Sequence, residues 1–161
     1  MNHRDFNQLV DKYADNLYGF VLKNIKNEDD AKDIVQESFK RLWQNRDNFE
    51  NAKAKSYLFT IAHNLIIDTV RANSRQKQWD DVDFNSFSTD KTYSDLSEIF
   101  ERALDTLKPL YKNVILLRDY EGYSYKEIAE ITKLTESQVK VYIFRARKRL
   151  KNYIGKIENV I

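Results

Sequence analysis

Between Gln138 and Lys156 the chain carries seven basic side chains (Lys140, Arg145, Arg147, Lys148, Arg149, Lys151 and Lys156) and no acidic one. The chemistry open to such a run is electrostatic. On a helix, the polar residues at its start can reach base edges in a major groove while the later cations hold phosphates. Just upstream, Ser124 and Glu127 stand in S-x-x-E order, and Thr135 and Gln138 in T-x-x-Q order. Each pattern lets a helix start satisfy its own free amides reciprocally. Two starts 11 residues apart leave about two turns of helix and a tight connection, the spacing of a helix-turn-helix. Val139, Ile143, Ala146 and Leu150 should then face inward against Ile128, Ala129 and Leu134. Ser137, Gln138, Val141, Tyr142, Arg145 and Lys148 are left on the outer face. A solvated basic helix in a helical hairpin is the plainer alternative, and the turn lacks its usual glycine.

Other chemistry is poorly provided for. Asp30, Asp33 and Glu37 share one helix flank, but a carboxylate-bridged metal bundle needs Glu-x-x-His pairs, and none exists. His3 and His63 lack a second His or a Cys at metal-ligand spacing, and the chain has no Cys at all, so no metal site is expected. Gly19, Gly122 and Gly155 are too scattered for a dinucleotide fingerprint or a phosphate-binding loop, so no nucleotide cofactor is expected either. No Ser or Thr is credibly paired with a base, which argues against catalytic residues and a small-molecule substrate.

The elements that position the basic helix follow from composition and period. Three Gly and one Pro in 161 residues, with 32% charged and 42% hydrophobic side chains, predict an all-α protein built of amphipathic helices. Phe6, Leu9, Val10, Tyr13, Leu17, Phe20 and Val21 define one helix. A second starts at Asn27 as cap, with stripe Ala31, Ile34, Val35, Ser38, Phe39, Leu42 and Trp43. A third runs from about Lys53 to Arg71. Residues 79–90 keep neither period, so 74–92 read as a flexible, acidic linker between two small helical domains, 1–73 and 93–161. Beyond it, helices of about 94–107 and from Pro109 precede the break at Gly122. The total of +2 conceals this division: residues 1–73 are neutral, 74–105 carry −4 and 106–161 carry +6. No apolar run is long enough to span a membrane and the N-terminus has no signal core, which predicts a cytoplasmic protein that is not integral to a membrane.

Both halves also resemble one family. Asp30-Ala31-Lys32-Asp33-Ile34-Val35-Gln36-Glu37-Ser38-Phe39-Lys40-Arg41-Leu42-Trp43 and Tyr57-Leu58-Phe59-Thr60-Ile61-Ala62-His63-Asn64-Leu65-Ile66-Ile67-Asp68 are similar to two motifs of the extracytoplasmic-function (ECF) sigma factors, the smallest group of the sigma-70 class. Glu121 to Ala129 and Val139 to Leu150 resemble that family's E-G-x-S-Y-x-E-I-A and V-x-x-x-x-x-R-A-[RK]-x-x-L patterns. The four stretches occur in order around the linker and cover nearly the whole chain.

The resemblance implies that residues 1–73 bind core RNA polymerase and open the −10 element as a single strand, and that residues 93–161 read the −35 element as duplex. It places polymerase contacts at Asp33, Gln36, Glu37 and Arg41, and −10 contacts at Tyr57, Asn64, Asp68, Arg71, Asn73 and Arg75. The −35 contacts it implies are Ser124, Ser137, Gln138, Lys140, Val141, Tyr142, Arg145 and Lys148. An amide such as Asn64 can read the edge of a base that has left the stack. Tyr57 and Phe59 are either platforms for bases or, at helical spacing, core, and Asn64 is either a reader or a helix terminator. Lys140, Val141 and Tyr142 replace an Arg-Ser-Arg common in relatives, so the −35 sequence is not transferable. An anti-sigma factor is the further partner implied. An autonomous helix-turn-helix regulator, with a dimerising or sensing N-terminal domain, is the competing reading.

Overall fold

The computed structural model describes residues 1–79 and 96–160, and among them every regular element is helical. The first three α-helices are α1 (His3–Ile25), α2 (Glu28–Gln44) and α3 (Ala54–Trp79), with two short 3-10 turns between α2 and α3. α4 (Leu96–Asp105), α5 (Pro109–Ile115), α6 (Tyr125–Thr132) and α7 (Glu136–Val160) follow. A π turn at Leu116–Tyr120 extends α5.

Local chemistry sets these boundaries. Asn2 and Asn27 cap α1 and α2 by accepting from the amides of Asp5 and Asp30. Glu28, Asp29 and Asp30 then sit where the helix dipole favours negative charge. α1 ends on Lys26 in the left-handed region. Pro109 opens α5 at a position where its missing N–H leaves no bond unmade. Gly122 has φ +73°, which a glycine adopts without strain, and it turns the chain out of the π segment into α6.

α1, α2 and α3 form a bundle over Leu17, Phe20, Val21, Ala31, Leu42, Leu58, Ala62 and Ile66, all essentially buried. In the second half, Leu104, Val114, Leu117, Ile128, Ile131, Val139, Ile143 and Ala146 do the same for α4 to α7. Burying each large side chain here contributes roughly 1.5–3 kcal/mol. The expected inward set of α7 is therefore the observed one.

Two expectations change. The third helix does not stop at Arg71 but continues to Trp79, so residues 74–79, expected in the linker, are helical, and Asn64 lies mid-helix instead of ending one. The rest of the proposed linker, 80–92, lies outside the described residues.

The two halves also share a core. Phe59 sits between Phe20 of α1 and Tyr123 ahead of α6, with ring centroids 5.4 Å away in each direction. Lys55 lies over the Tyr123 ring at 4.7 Å. The buried Asn113 donates to Asn24 Oδ1 at 3.1 Å. Asp105 takes both Lys112 at 2.8 Å and Lys26 at 3.3 Å, and Lys53 reaches Glu130 at 3.8 Å. α3 is thus the shared wall, packing on α1 and α2 and on α6.

Candidate nucleic-acid interface

The helix-turn-helix is built by its caps. Ser124 Oγ accepts from the Glu127 amide at 3.1 Å while Glu127 Oε1 accepts from the Ser124 amide at 3.1 Å. Thr135 Oγ1 accepts from the Gln138 amide at 3.1 Å, and Gln138 Oε1 accepts from the Thr135 amide at 3.0 Å. Lys133 supplies the left-handed turn that glycine usually supplies, with φ 60° and ψ 32°. Its position costs an L-residue roughly 1–2 kcal/mol.

The outer face of α7 carries Ser137, Gln138, Lys140, Val141, Arg145 and Lys148 in the open, with Val141 43% exposed. Gln138 spends its carbonyl on the cap but keeps two N–H donors, and Ser124 likewise keeps its hydroxyl hydrogen. Tyr142 is half-buried and packs edge-on against Tyr111 at 4.7 Å. Arg147 is withdrawn from this face by Asp119, at 2.6 Å, a bond that also raises its pKa. Phe144, 68% exposed, joins the face and was not singled out from sequence. Its exposure follows from the register that buries Ile143 on the other side of the helix.

On α3, Tyr57, Asn64, Asp68, Arg71 and Arg75 fall at steps of seven, four, three and four. At about 100° per residue they occupy one stripe about 60° wide. Asn73 does not join them. It is exposed and lies about 180° around the helix from Asn64. Tyr57 is half-buried, with one face stacked on Phe49 at 4.8 Å. Phe59 is fully buried, so of its two readings the core one holds. Asn64, Asp68, Arg71 and Arg75 line a groove that Lys108, Pro109 and Lys133 close from the second half. At its base His63 is buried with Nδ1 unpartnered; desolvation lowers its pKa, and the side chain of Asn113 pulls the other way.

This arrangement, a capped basic helix-turn-helix beside a helix with a polar stripe, has known counterparts. Residues 9–76 match the family pattern described as "Sigma-70 region 2", and residues 97–150 match "Sigma-70, region 4". The RNA polymerase sigma factor SigV of Bacillus subtilis is 32% identical over 91% of this chain and 89% of its own length. The chain belongs to the ECF sigma factors. The ECF RNA polymerase sigma factor SigE of Mycolicibacterium smegmatis is 30% identical over 94% of this chain, which spans 62% of that relative's length. In structure, the chain is similar to the sigma factor RpoE of Bartonella quintana, solved in complex with the anti-sigma factor NepR. The TM-score is 0.78 at 28% identity, over 94% of this chain and 98% of that one.

Members of this family are not enzymes, and the region 2 match sets aside the reading of residues 1–73 as a dimerising or sensing domain. Within region 2, α2 turns Ile34, Ser38, Phe39 and Leu42 inward and leaves Asp33, Gln36 and Arg41 exposed. Glu37 is half-buried and accepts from Arg41 Nε at 2.8 Å, so a partner on this face meets a preformed ion pair. Such an exposed i, i+4 pair contributes only about 0.3–0.5 kcal/mol, little enough for a partner to rearrange. Among the described residues no helix is long and apolar enough to cross a membrane, and no cluster of His, Asp or Glu could hold a metal.

Proposed function

We propose that the chain directs core RNA polymerase to its promoters, through a division of labour between its halves. Residues 1–73 hold the polymerase through Asp33, Gln36, Glu37 and Arg41 of α2. The stripe of Tyr57, Asn64, Asp68, Arg71 and Arg75 holds the opened −10 strand, with Asn73 outside it. Residues 93–161 read duplex −35 DNA with Ser137, Gln138, Val141 and Tyr142, while Ser124, Lys140, Arg145 and Lys148 hold phosphates. The observation that carries this reading is the placing of four polar groups of α3 on one open stripe, Asn64 among them, opposite a core that buries Leu58, Ala62 and Ile66. An anti-sigma factor is the further partner we assign, on the likeness to the RpoE complexed with NepR. The protein acts in the cytoplasm, where polymerase and promoter are found.

The packing of the halves bears on how promoter binding occurs. The −35 and −10 elements lie about 25 base pairs apart, about 85 Å of duplex at ~3.4 Å per step. A compact body of this size has a radius of gyration of about 15 Å. The domains therefore part at the Phe59–Tyr123 contact when both elements are occupied. The test separates the two surfaces. Asn64→Ala should impair strand opening by the holoenzyme and spare −35 duplex binding, and Arg145→Ala should do the reverse. Equal losses in both assays for either variant would refute the division.

A further inference from the structure

A second basic cleft lies beside the proposed −35 face, between the start of α5 and the middle of α7. Lys108, Arg145, Lys148 and Arg149 line it together with Asn152 and Tyr111, and none of its lining residues is acidic. Tyr111 is the one aromatic there and is half-buried. Its hydroxyl accepts from Arg145 Nη1 at 3.4 Å, and its ring meets the Tyr142 ring at 4.7 Å and 66°. Two side chains assigned to DNA on α7 thus rest on a single residue of α5.

We propose that Tyr111 is a positioning residue for duplex recognition, and that the cleft above it seats a DNA backbone phosphate between Lys108, Arg145 and Arg149. The inference rests on the reading of α7 as the −35 face. A free arginine loses side-chain entropy when a contact fixes it. One N–H held by the Tyr111 hydroxyl lowers that loss and leaves four donors for a phosphate. The tyrosine ring does a separate job, holding Tyr142 at the angle from which it meets a base edge.

The test uses the full chain, a duplex that it selects from a randomised pool, and a scrambled duplex of the same composition. Tyr111→Phe should weaken both duplexes equally, about 3- to 10-fold, the range for losing one ordinary hydrogen bond, as suits a bond of 3.4 Å. Its unfolding midpoint should not move. Tyr111→Leu should in addition narrow the ratio between selected and scrambled duplex. Lys108→Ala should weaken both and reduce the salt slope by about one phosphate contact. In an Arg145→Ala background, Tyr111→Phe should have no further effect, an outcome that a merely structural role would not produce. Additive losses in that double variant, or wild-type binding by Tyr111→Phe where Arg145→Ala binds weakly, would overturn the proposal. Undiminished binding by Arg145→Ala would instead overturn the −35 reading itself, and the positioning role with it.

Discussion

Gln138 has two tasks that a single substitution can separate. Its Oε1 closes the cap on the Thr135 amide at 3.0 Å, and its amino group lies on the outer face with Val141, Tyr142 and Arg145. The upstream cap performs the first task with Glu127. A carboxylate therefore fits the geometry, and the helix dipole favours it. Gln138→Glu should leave stability within about 0.5 kcal/mol of wild type, whereas Gln138→Ala should lose about 0.5–1 kcal/mol of cap energy. On DNA the order reverses in severity. A negative charge about 5 Å from each of two phosphates costs about 0.8 kcal/mol apiece even at the dielectric of water. The Glu variant should bind duplex at least 10-fold more weakly, and high salt should shrink its deficit. Urea unfolding and fluorescence anisotropy at two salt concentrations measure both effects. A Glu variant that binds like wild type, or one as destabilised as the Ala variant, would refute the account of this residue.

Lys133→Gly should stabilise the fold by up to about 1 kcal/mol, since glycine removes a left-handed penalty of about 1–2 kcal/mol and returns part of it as unfolded-state entropy; denaturant midpoints measure this, and a loss of stability would contradict the turn geometry. Stability should fall as pH drops below about 6.5, because the unfolded chain then protonates His63 while burial holds the folded pKa lower. The slope attributable to this residue is at most about 1.4 kcal/mol per pH unit, and His63→Gln should remove it; an unchanged acid limb in that variant would show that His63 does not set it. Phe59→Ala, which opens space against both Phe20 and Tyr123, should cost about 3–5 kcal/mol in thermal or urea unfolding; a loss under 1 kcal/mol would mean the shared core is not tightly packed.

What could be read in advance was whatever depends on neighbours in sequence. Caps at Asn27, Ser124 and Thr135, the break at Gly122 and the inward set Val139, Ile143, Ala146 and Leu150 are local, and the structure has them. The end of α3 was not legible, because Ser74 to Trp79 lack an apolar period and only the rest of the helix extends into them. Asn73 was grouped with Asn64 by proximity in the chain, whereas helical rotation sets them apart. Tyr111 carried no signal at all, since its meaning comes from Arg145 and Tyr142, more than 30 residues away. The docking of the two halves was equally invisible, for it rests on single residues such as Phe59, Tyr123 and Asn113, whose types alone do not say what they pack against.

The central claim is that this chain confers promoter choice on a polymerase, and reconstituted transcription addresses it most directly. Purified bacterial core polymerase would be given a promoter library with and without the protein, and the start sites of the transcripts mapped. The account predicts initiation from a restricted set of promoters sharing −35 and −10 elements, only when the chain is present, and impaired at the opening step by Asn64→Ala. Tight duplex binding by the protein alone, with no promoter-dependent initiation in the reconstituted system, would contradict it.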